Sequence, residues 1–173
     1  MKTLSVCLLL CAVMTLTRAA AVQEAAAKNN QVAKSHLFKR SAACSGGWSE
    51  FNGRCFRYVP KAMKWATAEK NCQALGGHLA SVRDATEYSV IQKLILTASY
   101  GHNPTWIGGS DAQQEGTFLW TDGTPFHYTS WCPGEPNNNM WNQHCIQMNY
   151  GNSKCWDDQK CWVYLPSVCG KNM

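Results

Sequence analysis

The run from Trp131 to Cys145 reads Trp-Cys-Pro-Gly-Glu-Pro-Asn-Asn-Asn-Met-Trp-Asn-Gln-His-Cys and concentrates oxygen-bearing side chains. Glu135, Asn137, Asn138, Asn139, Asn142 and Gln143 bring carboxylate and amide oxygens close together along the chain. A hard cation takes about six to eight such oxygens. A polyhydroxyl ligand needs the same mixture of acceptors and amide donors. Pro133, Gly134 and Pro136 break helices and strands, and the run has almost no aliphatic side chain with which to form a core strand. Cys132 and Cys145 pin it. These residues suit a rigid platform for a cation or a polyhydroxyl ligand; a polar surface loop is the competing reading.

The elements that would position this loop lie in the second and larger part of the chain. Lys2, the apolar stretch Leu4 to Leu16 and the small residues Ala19 to Ala21 read as a secretory signal peptide over residues 1–20, too short to span a bilayer. Residues 21–40 are Ala-, Asn- and Lys-rich and end in the dibasic pair Lys39-Arg40, the pattern of a propeptide. A mature domain over residues 41–173 is expected to be secreted and soluble. The whole chain has 16 Lys plus Arg against 11 Asp plus Glu, but six of the bases and only one acid precede Ser41. The mature part is therefore formally neutral, which provides no electrostatic footprint for nucleic acid or anionic membrane.

Eight cysteines follow the leader: Cys44, Cys55, Cys72, Cys132, Cys145, Cys155, Cys161 and Cys169. An even number, a secreted context and no Cys-x-x-Cys pair favour four disulfides over zinc sites. All eight tryptophans lie in the same part, enough aromatic area for a core. Asn52-Gly53 marks a hairpin within Cys44 to Val59. Trp65, Ala68, Cys72 and Leu75 recur at helical spacing over Ala62 to Leu75, with a poor N-cap and a Gly76-Gly77 stop. A capping box at Asp84-Ala-Thr-Glu87 opens a second helix to about Leu96, with Tyr88, Ile91, Leu94 and Ile95 as its buried stripe. Short strands are predicted at Thr105 to Gly108, Phe118 to Trp120, Cys145 to Asn149, Lys154 to Trp156 and Leu165 to Cys169. The irregular excursion from Thr121 to Asn142 is long for a compact domain, a sign of function. Two helices followed by strands make an α+β domain.

The first helix with Trp65 and Cys72, the run Gly77-His-Leu-Ala-Ser81, Trp106-Ile-Gly-Gly109, Trp131, Glu135-Pro136-Asn137, Cys145, Trp156-Asp157-Asp158, Cys161 and Cys169 together resemble the C-type lectin-like domain. Cys132 and Cys155, with Trp-Ile-Gly-Gly-Ser and Cys-Trp-Asp-Asp, resemble its fish group of ladderlectin-like lectins and type II antifreeze proteins. The resemblance implies two helices with antiparallel sheets and a long calcium- and ligand-binding loop region. It implies the pairings Cys44–Cys55, Cys72–Cys169 and Cys145–Cys161, which leaves Cys132 for Cys155. A further pair of the antifreeze members falls at Asp111 and His144 and is absent.

By the same resemblance the calcium ligands are Glu135, Asn137, Gln143, Asp157 and Asp158. Gln143 stands where the family has Glu, and Asp157 where it has Asn. The exchange keeps three acids in the site. The sugar-binding couples are Glu135 with Asn137 and Gln143 with Asp157, and Trp141 is a candidate aromatic platform or a loop-packing residue. Glu-Pro-Asn is associated in the family with equatorial 3- and 4-hydroxyls, as in mannose, although the second couple is reversed here. Pro136 is expected to follow a cis peptide bond. A second calcium site at Asp111 and Glu115 has Asn138 and His144 in place of acids and is expected to be empty or weak, with His144 a solvated loop residue rather than a ligand.

The leading expectation is a secreted, calcium-dependent lectin for mannose-type glycans, with a possible role in innate recognition. The alternatives are a type II antifreeze-like ice binder, disfavoured by a loop with Met140 and Trp141 and no threonine, and a calcium-independent protein-binding module. No Ser-His-Asp order or Gly-rich phosphate loop appears, and paired thiols leave no cysteine nucleophile, so no enzyme is expected. The expected partners are carbohydrates, with no nucleic acid and no membrane insertion; the oligomeric state is not readable.

Overall fold

A computed structural model describes residues 44–173. The proposed signal peptide (1–20) and propeptide (21–40) lie outside the described residues. The strands are β1 (Ser49–Phe51), β2 (Arg54–Met63), β3 (His78–Leu79), β4 (Thr105–Ser110), β5 (Leu119–Trp120), β6 (Cys145–Tyr150), β7 (Cys155–Gln159) and β8 (Leu165–Asn172). Helix α1 (Trp65–Ala74) and helix α2 (Ala85–Ser99) lie before and after β3. One sheet runs β1-β2-β8-β4-β6-β7, with β3 added to β8 and β5 to β4.

The sheet departs from the antiparallel expectation at one ladder. β4 meets β8 in parallel at Trp106 and Ser167, while the other ladders are antiparallel. The last strand of the chain enters between β2 and β4, and its direction is opposed to β2 but shared with β4.

Strand alternation divides the core in two. Adjacent residues Trp106 and Ile107, Cys145 and Ile146, and Val168 and Cys169 enter different apolar clusters, as side chains on successive strand positions must. Tyr88, Ile91 and Ile95 of α2 join one cluster, and Ala68 and Cys72 of α1 join the other.

Helix α1 begins at Trp65, three residues later than its periodicity suggests. The β2 ladder still claims Met63, paired with Leu165, and the Trp65 N–H donates to the Cys161 carbonyl at 3.0 Å. No side chain caps it. At its other end Gly76 has φ of 83°. The Gly76 and Gly77 N–H groups donate to the carbonyls of Gln73 and Cys72, the paired bonds of a Schellman stop. Helix α2 opens as expected: the Asp84 carboxylate accepts from the Glu87 N–H at 2.8 Å. It runs three residues beyond Leu96 and ends at Tyr100, which is left-handed with φ of 55°. Leu94 packs on the core only in part.

The four disulfides join Cys44 to Cys55, Cys72 to Cys169, Cys132 to Cys155 and Cys145 to Cys161. β7 extends three residues further than its sequence pattern suggests, through Asp157 and Asp158 to Gln159. The consequence is functional, because two acids of the candidate site stand on a strand of the sheet rather than in a loop.

Candidate functional site

The irregular chain after β5 is built on aromatic packing. Trp120, Phe126, Tyr128 and Trp131 all place their rings about the fully buried Trp156 of β7, with centroids 5.7 to 6.2 Å away. The contacts of Trp120, Tyr128 and Trp131 are edge-to-face, an arrangement favoured by the ring quadrupoles. Backbone bonds add register: the Trp156 N–H donates to the Ser130 carbonyl, and the Cys132 N–H donates to the Trp156 carbonyl at 2.9 Å. At the start of the excursion the Asp122 carboxylate accepts from the Ser81 hydroxyl and from the Thr124 N–H. These bonds to the charged form hold its carboxyl below the ordinary value, although burial opposes them. Ser81 in turn lies on Arg54, a buried cation paired with Glu87 at 2.7 Å.

On this frame the loop brings Glu135 to the two acids of β7. Glu135, Asp157 and Asp158 each place a carboxylate oxygen within 4.8 Å of the others. The Glu135–Pro136 peptide is cis, as expected. Asp157 and Asp158 are buried. The Asn137 amide donates to Glu135 Oε1 at 2.9 Å. The backbone N–H groups of Asn137 and Asn138 donate to the two oxygens of Asp158 at 2.9 and 2.7 Å.

Glu135 Oε2 is buried and has no hydrogen-bond partner. Burial, then the charges of Asp157 and Asp158, push the Glu135 carboxyl up to about 7. Burial also raises Asp157, against a hydrogen bond from Gln147. Two raised acids beside the Asp158 carboxylate, one of them with an oxygen that has no partner, form an arrangement that a cation would relieve.

Gln143 stands one step removed. Its Oε1 accepts from the Asn139 N–H at 2.6 Å, and the same N–H reaches Asn137 Oδ1 at 2.8 Å. Gln143 and Asp157 are expected to act as a couple on a sugar hydroxyl; the group that donates to Asp157 Oδ2 is a further residue, Gln147 on β6. Gln147 faces Asp157 directly across the β6–β7 ladder. Nothing in its local sequence signals this, because the pairing follows from strand register. Trp141 is 87% exposed, so it is no loop-packing residue. Met140 and Trp141 both have positive φ, 61° and 57°, in a short 3-10 turn over Asn139–Trp141.

The residues of the second predicted site only partly converge. Asp111, Glu115 and His144 come together, with their ligand atoms within 4.8 Å. His144 is not a fully solvated loop residue: its ring Nδ1 lies 3.2 Å from Asp111 Oδ1. Asn138 is turned elsewhere, and its Oδ1 accepts from the Gln143 N–H.

The chain is similar to proteins of two named kinds. A type-2 ice-structuring protein of Brachyopsis segaliensis is 37% identical over 171 residues, 97% of this chain and 98% of that one. Ladderlectin of Oncorhynchus mykiss is 40% identical over 131 residues, 75% of this chain and 69% of that one. The galactose-specific lectin nattectin of Thalassophryne nattereri is 36% identical over 135 residues, 78% and 84% of the two chains. The solved herring type II antifreeze protein superposes with a TM-score of 0.71 at 37% identity, over 75% of this chain and 99% of that one. These relatives are lectins and ice-structuring proteins. The Lectin C-type domain profile matches residues 61–171, the span that carries both helices, six of the eight strands and the loop, and the chain belongs to the C-type lectin domain family.

Proposed function

We propose that this protein is a secreted, calcium-dependent lectin that takes sugars with neighbouring equatorial hydroxyls, of the mannose type. The observation that carries the reading is the orphaned Glu135 Oε2 among the carboxylates of Asp157 and Asp158. Those acids fit a hard divalent cation by donor type and by their number. Glu135, Asn137, Asp157 and Asp158 would hold it, with Gln143 completing the set. When bound, calcium supplies a positive centre with open positions for two vicinal sugar hydroxyls.

The chain's own groups orient such a sugar. Asn137 Nδ2 and Glu135 Oε1 lie side by side at 2.9 Å, one donor and one acceptor for a single hydroxyl. Trp141 is exposed beside this couple in sequence and offers an apolar face for a sugar ring. The reversed second couple, Gln143 and Asp157, leaves the mannose preference weaker than the calcium requirement. Secretion is supported by the leader pattern and by four disulfides, which persist in oxidising compartments. Among the described residues no helix is long and apolar enough to cross a membrane. The proposed processing leaves a mature chain from Ser41.

Ice binding is the second reading, favoured by the relation to ice-structuring proteins over nearly the whole chain. The deciding experiment passes the mature protein over mannose- and galactose-agarose in calcium and elutes with EDTA. Retention on mannose with EDTA release is the expected result. Retention on galactose alone overturns the mannose preference and keeps the calcium lectin. No retention on either resin, together with thermal hysteresis, transfers the site to ice.

A further inference from the structure

We propose that Asp111, Glu115 and His144 form a binding site for a borderline transition-metal cation such as Zn²⁺, a site whose imidazole makes it a poor one for calcium. The sheet fixes two of the three donors. Ser110 pairs with Cys145 at the end of the β4–β6 ladder. One residue on, the Asp111 N–H donates to the His144 carbonyl at 3.2 Å. The His144 N–H donates to the Gln159 carbonyl at 3.3 Å, and the neighbouring Cys145 is tied to Cys161. A turn closed by the Gln114 N–H on the Asp111 carbonyl then carries the chain back to Glu115.

The side chains are aimed as well as placed. The Gly116 N–H occupies Asp111 Oδ2 at 2.8 Å and leaves Oδ1 for the imidazole. Asp111 is buried, while Glu115 and His144 retain access to water. His144 Nδ1 lies 3.2 Å from Asp111 Oδ1 and 3.5 Å from Glu115 Oε2. A tetrahedral zinc site with bonds of about 2.0–2.1 Å has ligand-to-ligand edges of about 3.3 Å. The two distances that His144 Nδ1 makes are close to that figure, all three ligand atoms lie within 4.8 Å of one another, and the exposed side leaves room for a water as fourth ligand.

Donor chemistry selects the ion. Calcium takes oxygen ligands, about six to eight of them, whereas this cluster offers two carboxylates and a nitrogen. Imidazole suits zinc and its neighbours in the first transition row. Two carboxylates also cancel the charge of one divalent cation. The group shares no ligand with the Glu135–Asp157–Asp158 cluster, so its occupancy does not depend on the sugar-binding reading. An ion here would tie the start of the β4–β5 connection to the root of β6, next to Gln143.

The test titrates Zn²⁺ alone into the mature protein, held in excess calcium, by calorimetry, with Co²⁺ substitution as an absorption probe of tetrahedral geometry. The expected result is one zinc per chain, not displaced by calcium. His144→Gln and the largely exposed Glu115→Gln should each weaken zinc at least about tenfold, the lower end of what loss of a metal-site partner costs. Glu135→Gln should leave zinc binding unchanged. Absence of zinc uptake, uptake that both variants retain, loss with Glu135→Gln, or displacement by calcium each overturns the proposal.

Discussion

At the scale of single residues, the acid cluster makes ion binding a proton-linked event. Glu135 is raised to about 7 by burial and by Asp157 and Asp158, and the charged form is the one that binds a cation. On the acid side of that value each ion bound must displace a proton, so affinity falls about tenfold per pH unit. Calcium titrations at pH 8 and pH 6 should therefore differ by about one order of magnitude, with proton release at pH 6 seen as a buffer-dependent heat. Equal affinities would remove Glu135 from the site. The linkage has a second sign. A carboxyl raised in the folded state contributes stability that is fully present below its unfolded value and is lost as pH rises through about 7. Asp157 is raised as well and acts in the same direction. The ion-free protein should melt lower at pH 8 than at pH 5.5, and calcium should abolish the difference. Gln147 carries the third residue-scale prediction. It is buried and donates to Asp157 Oδ2, so Gln147→Met frees that carboxylate from its orienting partner. Calcium affinity should drop about 10- to 100-fold with the fold intact by circular dichroism.

At the scale of elements, what was legible depended on whether a signal was local. The hairpin turn at Asn52-Gly53, the Asp84 cap and the Gly76 stop are chemical signals within a few residues, and each appears where its residues place it. The start of α1 at Trp65 and the extension of β7 to Gln159 depend on ladders with Leu165 and with β6, which no local pattern encodes. The site divides in the same way. Motif spacing was enough to group Glu135, Asp157 and Asp158, which the fold does bring together, whereas Gln147 as the partner of Asp157 exists only once β6 and β7 pair. The excursion from Thr121 to Asn142 looked structureless because its order comes from rings meeting Trp156 and from Cys132–Cys155. Removing that disulfide by Cys132→Ala with Cys155→Ala releases a closed loop of 23-residue separation. Chain entropy then predicts a loss of roughly 3 kcal/mol in unfolding free energy. The same change should also weaken calcium, because it unties the root of the loop bearing Glu135 from the strand bearing Asp157. Denaturant unfolding and calcium titration of the double variant would check both; loss of stability with unchanged calcium affinity would show that Trp156 alone positions the loop.

At the scale of the whole molecule, the fold does not decide between sugar and ice, since ice-structuring proteins and lectins both resemble this chain. Function must be argued from the surface that the fold presents. A lattice of water offers no discrete ligand for a charged cavity, and it is matched best by a flat face that does not hold its own hydration tightly. The surface around Glu135 is the opposite. It carries a cluster of three carboxylates, and beside it in the chain Met140 and Trp141 are 75% and 87% exposed, their backbone held at positive φ. Left-handed backbone costs about 1 kcal/mol or more at a residue with a Cβ, and such conformations concentrate where a loop is shaped to meet a ligand. The mature protein at millimolar concentration in calcium should accordingly show no more thermal hysteresis than an inert protein of equal osmolality. Trp141→Ala should reduce glycan retention several-fold while leaving calcium affinity unchanged, because a stacking face contributes to sugar binding but no ligand atom to the ion. If Trp141→Ala instead lowers a measured hysteresis and leaves glycan retention alone, the exposed turn serves ice.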